Sequence, residues 1–198
     1  TANTALWSVT AANCWIENVR IISNFLNIAT AMSVATGGDG LMLKDIEWRD
    51  TSVILGALIQ LSVATTVDDL TITGNRFICT ALTAAATNVI KFAGSAPRFV
   101  LTNCHFDAAC TAAVVNGSAA ALVNLYIDGV TLMNSDTTAG LGMAFHNSST
   151  GYVNNVVAIN LKNDVKGVTG TGLSIGPFVH YSNAVNAYAG LFSYTVDA

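Results

Sequence analysis

Few side chains in this sequence could do chemistry. Asp39, Asp68 and Asp69 fall in the polar stretches ATGGDG (35–40) and ATTVDD (64–69). Carboxylates brought together there could hold a hard cation such as Ca²⁺, or divide general acid and base work in glycoside cleavage. As solvated turn acids they need no partner, because Asp is favoured in turns. Glu17 and Glu47 are the remaining candidates for a carboxylate pair. His105 and His180 lack a serine or cysteine nucleophile at recognisable spacing, and His146 is followed by Asn147. Cys14, Cys79, Cys104 and Cys110 show no CxxC spacing. Cys79 and Cys110 could approach one another, yet no histidine or second cysteine pair completes a zinc site. Trp15 could stack on a sugar or fill an interface. NGS at 116 and NSS at 147 match glycosylation sequons but read as turn sequence. No cofactor or metal is expected from this set.

Composition narrows the class. The chain has 198 residues, enough for one domain with a sizeable core. Only 10% are charged, against a usual ~25%, while 52% are hydrophobic. Such a chain buries enough apolar surface to fold. No apolar run reaches the ~18 residues of a membrane-spanning helix. The net charge is -4, and the 8 Lys and Arg are scattered, which argues against a nucleic-acid partner. No basic leader precedes an apolar core near Thr1, so no secretion signal is expected. The surface must be built largely from Ser, Thr, Asn, Ala and Gly. That suits a particle component or tight oligomer better than a free monomer.

The elements that position these residues come from a repeat. An eight-residue motif appears as CWIENVRI (14–21), LMLKDIEW (41–48), LTITGNRF (70–77), FVLTNCHF (99–106), LYIDGVTL (125–132) and NNVVAINL (154–161). Its first, third, sixth and eighth positions are apolar, failing only at Asn154 and Asn75. The alternation changes phase at the fifth position: Asn18, Asp45, Gly74, Asn103, Gly129 and Ala158. Gly, Asn and Asp tolerate positive φ. One such residue turns the chain between two short strands and points the apolar residues on both sides into one interior. Asp45 is therefore expected to be a corner residue. A looser apolar run follows each motif, as in ALIQLSV (57–63), NVIKFAG (88–94), AAVVNG (112–117) and LGMAFHN (141–147). The near-even spacing of the motif starts, a richness in β-branched side chains and the lack of helical stripes together describe a parallel β-helix.

Stacking makes equivalent positions neighbours. The seventh position, facing outward, then places Glu47 between Arg20 and Arg76, and the fourth places Glu17 beside Lys44. Opposite charges on adjacent strands account for both glutamates without catalysis. Cys14 and Cys104 fall on inward positions, and Trp48 reads as core.

The motif resembles the rungs of right-handed parallel β-helices, as in pectate-lyase-like enzymes, bacteriophage tailspikes and other virion surface proteins. The resemblance covers 14 to about 176 and implies an all-β, right-handed parallel β-helix (solenoid) of about six rungs with N- and C-terminal capping segments. Residues 1–176 would form the β-helix with its N-terminal cap. There Leu6, Trp7 and Val9 make a cap or a first incomplete rung. Residues 177–198 would be a tail serving as cap or oligomer contact. The NTD, DD and HG elements of a polygalacturonase-type site are not assembled, Asp68-Asp69 being a lone DD. The expected function is that of a non-enzymatic structural protein of a bacteriophage particle: a capsid decoration (cement) protein or a tail spike or fibre component. The alternatives are a carbohydrate-active β-helix enzyme (lyase or hydrolase) or a glycan-binding adhesin. A homotrimer on the virion is expected, with capsid or tail proteins and a host surface glycan as partners, and no nucleic acid or membrane. Its interface candidates are Trp15, Met42, Val100 and Tyr126 at the second motif position, and Phe178, Tyr188, Phe192 and Tyr194 in the tail.

Overall fold

Each motif bends into a short entry strand and a short exit strand, and the looser run after it returns the chain to its starting edge. A computed structural model describes residues 5–23, 28–50, 57–80, 87–136, 141–161, 168–169 and 171–182. The entry strands run in order as Trp15–Glu17, Met42–Lys44, Thr71–Thr73 and Val100–Thr102. The exit strands are Arg20–Ser23, Glu47–Asp50, Arg76–Cys79 and His105–Ala108. In the next two coils, entry and exit join as Leu125–Asn134 and Gly151–Leu161. Leu173–Ile175 and Phe178–Ser182 pair beneath the last of these. The return strands are Ala5–Val9, Ile28–Val34, Ala57–Val63, Asn88–Phe92, Ala113–Gly117, Leu141–Phe145 and Val168–Thr169. Among the described residues every pairing is parallel, and the whole is a β-solenoid of about five turns, close to the six rungs expected.

The phase change is where the repeat places it. Asn18, Asp45 and Asn103 have φ of 55°, 52° and 52°, and Gly74 and Gly129 have 67° and 64°. The amide of the corner residue itself stays in the ladder: Asp45 N donates to Thr73 O at 3.0 Å, and Asn103 N to Asp128 O at 3.0 Å. Leu41, Leu43, Ile46 and Trp48 are all buried as a result, although a flat strand would divide them between two faces.

The sixth motif copy is displaced from its expected place. Leu125 pairs with Gly151, Ile127 with Val153 and Leu132 with Ala158, so the copy is GYVNNVVA, 151–158, and not 154–161. The corner falls on Asn155 (φ 47°), whereas Ala158 is fully buried in the eighth-position column. An alanine pays the full steric cost of positive φ; an asparagine three residues earlier does not. Pairing continues past residue 176. Phe178 lies beneath Val156 and is partly buried against the core.

Inward positions stack as columns. Trp48, Phe77 and Phe106 lie ring over ring, at centroid separations of 5.3 and 4.6 Å. Asn75 breaks the sixth-position column, and its Oδ1 accepts the Ile46 amide at 2.9 Å.

Candidate functional site

Within an entry strand the first and third side chains point inward and the second outward. Register stacks the second positions in one line: Trp15 on Met42, then Thr71, Val100, Tyr126, Tyr152 and Ser174. Trp15 is 63% exposed, Tyr126 41% and Tyr152 58%, while Met42, Thr71 and Val100 are half-buried. The three-residue displacement of the sixth copy puts Tyr152 where Asn155 was expected. The stripe therefore carries two adjacent tyrosine rings and runs one coil further. Met42, Val100 and Tyr126 take the outward positions expected of them. Phe178 lies on the sixth-position column, and Tyr188, Phe192 and Tyr194 lie outside the described residues.

Polar columns border the stripe. At the fourth position Lys44 Nζ lies 3.7 Å from Glu17 Oε2 and 3.8 Å from Asp45 Oδ2, and Thr102 Oγ1 donates to Thr73 Oγ1 at 2.9 Å. At the seventh, Arg20 Nη2 is 3.3 Å from Glu47 Oε2, and Arg49 Nε adds a bond to Glu47 Oε1 at 3.0 Å. Partial desolvation works against the Glu47 carboxylate. The Arg49 hydrogen bond and the charges of Arg20 and Arg49 outweigh it and lower its pKa. Both glutamates are thus engaged by bases in ladders.

The acids of the turns are organised by a residue that sequence reasoning passed over. Arg98 reaches back to the preceding coil: its Nε bonds Asp69 Oδ1, and its Nη2 lies 2.7 Å from Asp69 Oδ2 and 3.4 Å from Asp68 Oδ2. Asp39 Oδ1 accepts the Asp68 amide at 2.8 Å. The hydrogen bond and charge of Arg98 hold the Asp69 carboxyl below its usual range. The place where Asp68 and Asp69 would meet a cation is taken by a guanidinium. The signal that locates Arg98 is a second corner column, one residue before each of the first five motif copies: Asn13, Gly40, Asp69, Arg98 and Asn124, all at positive φ.

The other candidates are local. His105 lies between Arg76 and Thr131 in the seventh-position ladder. His146 Nδ1 accepts the Ser148 amide at 3.1 Å in a turn. The His180 backbone pairs with Ala158. Asn116 Oδ1 accepts the Ser118 amide at 3.1 Å, closing a turn. Cys104 and Cys110 are buried, and burial pushes both thiols up to about 12. Cys79 is also buried and raised, first by burial and then by the nearby Cys110 thiol. Among the described residues, no three His, Cys, Asp or Glu side chains group as metal ligands do, and no helix is long and apolar enough to cross a membrane.

Compared with family models, curated proteins and solved structures, the chain matches none of them.

Proposed function

We propose that the protein is a non-enzymatic structural component of a virus particle: a bacteriophage capsid decoration protein, or part of a tail spike or fibre. The observation that carries this reading is the lateral stripe Trp15–Met42–Thr71–Val100–Tyr126–Tyr152. Exposed apolar side chains in continuous register along the axis mark a contact surface. The sparse charge of the chain agrees with a surface meant to be covered. Straight stripes on rod-like molecules are buried when the rods pair about a parallel axis, and closed symmetry stops growth. We take the closed assembly to be a homotrimer on the virion, three-fold packing being usual among the phage proteins that the motif resembles.

Light scattering tests the assembly. Wild type should have a mass that is a multiple of three chains, and a Val100→Asp, Tyr126→Asp double variant should lose the three-fold assembly while keeping its β spectrum. A wild type that never forms a lateral assembly sinks the trimer. The virion role is tested by flanking genes and by mass spectrometry of purified particles. Capsid, portal or tail genes beside this one, and the chain in the particles, are expected; sugar-utilisation genes count against it.

The adjacent exposed rings of Tyr126 and Tyr152 favour one second reading, a glycan-binding face. Quenching of their fluorescence by bacterial surface polysaccharide, lost in Tyr152→Ala, would support it.

A further inference from the structure

The N-terminal end of the solenoid is uncovered among the described residues. Ala5–Val9, Trp15–Glu17 and Arg20–Ser23 each pair on one side only, with the coil below. Among the described residues no strand pairs with their outer edges, where backbone amides and carbonyls can meet a partner. The inward columns are open at this end as well. Trp7 heads the column whose next members, Met32, Leu61 and Ile90, are fully buried, yet it is 40% exposed. Cys14, Ile16 and Val19 head three further columns and are only partly buried. Trp15 and Ile22, on the outer side of the same coil, are 63% and 48% exposed.

We infer that this end face binds the same face of a second copy about a two-fold axis perpendicular to the solenoid. The sequence of the first coil is self-complementary under that operation. A two-fold reverses strand direction, so an entry strand lies antiparallel on the partner's exit strand. With the axis between Asn18 and Val19, Trp15 faces the partner's Ile22, Ile16 faces the partner's Ile21, and Glu17 faces the partner's Arg20. Residues directly opposite in an antiparallel pair share a side. Each pairing meets that rule: outward apolar on outward apolar, inward on inward, acid on base. The same axis crosses the opposite side of the coil at Trp7. Met32 lies directly beneath Trp7, and the stretch of chain from Trp7 to Asn18 is nearly as long as that from Val19 to Met32. Trp7 is therefore about half a coil from the corner in either direction, and it meets the partner's Trp7.

Charge continuity argues for a second copy as the occupant. Arg20 already contacts Glu47, with Arg76 beneath. The partner's Glu17 above Arg20 extends that alternation by one step. The partner's Arg20 likewise extends the Glu17–Lys44 column. A head-to-tail stack of copies would grow without limit, whereas the two-fold closes after one contact. The surface lies at the end of the solenoid, not along its side, and shares only Trp15 with the lateral stripe.

The test uses charge reversal in the Val100→Asp, Tyr126→Asp background, where lateral assembly is removed. That parent should be a dimer by light scattering. Glu17→Arg alone opposes two arginines, and Arg20→Glu alone opposes two glutamates. Each should raise the dimer dissociation constant about tenfold or more. An equimolar mixture of the two variants restores both acid–base pairs, and the dimer should return. Trp7→Ser should also weaken the dimer, and thermal melts serve as the control for folding. A monomeric parent, or a mixture no more dimeric than either variant, overturns the inference. So does slow amide exchange over residues 5–9, 15–17 and 20–23 in a monomer, because another segment of chain would then cover the edge. A parent that stays dimeric when wild type forms no trimer leaves the end face standing and removes only the lateral assembly.

Discussion

Phe77 stacks on Phe106 one coil away, with ring centroids 4.6 Å apart and planes inclined by 3°. Neither ring is exposed. The flat overlap exists because parallel in-register pairing repeats the same position at the spacing of neighbouring strands, ~4.8 Å, close to the contact distance of aromatic faces. Phe77→Ala should cost roughly 3–5 kcal/mol, and Phe77→Leu less, about 1 kcal/mol. Urea unfolding measures both. Equal losses for the two variants would show that the column is not packed as described.

Glu47→Lys stacks cations at 20, 47 and 76 and adds Arg49 beside them. The expected result is a lower melting temperature at low salt, with the deficit shrinking as ionic strength rises. A melting temperature insensitive to both substitution and salt would contradict the ladder.

Asn103→Gly should be nearly neutral, because glycine also takes the φ of 52° at that corner. Gly151→Ala should destabilise strongly. Its φ is 136°, and a Cβ there would collide with the Leu125 carbonyl. The contrast, read by denaturation, separates a corner that needs only positive φ from a glycine at the first motif position that also needs space.

Cys79, Cys104 and Cys110 should resist iodoacetamide at pH 8 in the folded protein, while the half-exposed Cys14 reacts. Alkylation needs the thiolate, which burial disfavours. Four labels should appear after unfolding. The sign of the pH effect follows from the raised values. With Cys104 and Cys110 at about 12 in the folded state and 9.0 as the ordinary value, their contribution is complete below pH 9 and is lost as pH rises toward 12. Denaturation curves at pH 8 and pH 10.5 should show the fall. Native labelling of more than one thiol at pH 8 would rule out this burial.

Acid works in the opposite sense at Asp69. Arg98 lowers its pKa, so the pair stabilises above the ordinary carboxyl value of 3.8 and is lost as pH falls through the folded one. Arg98→Ala should flatten the acid limb of the stability profile. An unchanged limb would mean that the bridge contributes nothing in solution.

Much of the fold could be read from the chain because a solenoid writes its geometry locally. Each coil repeats the same inward positions, and a residue tolerant of positive φ must stand where the strand turns. Asn18, Asp45, Gly74, Asn103 and Gly129 marked that corner without any tertiary information. The sixth copy could not be placed in the same way. Two registers three residues apart offered similar apolar counts, and only the backbone pairing of Leu125 with Gly151 chose between them. That choice moved Tyr152 onto the lateral stripe. Arg98 was illegible for a related reason. Arginine is not among the residues that favour positive φ, so its corner at φ 57° is marked only by Asn13, Gly40, Asp69 and Asn124 at the same place in other coils, and its partner only by stacking, which brings Asp69 within reach of its guanidinium. Position along the chain determined which side chains face inward. Which of them meet across coils depended on the unequal lengths of chain between one motif and the next, and only the folded chain brings those residues together.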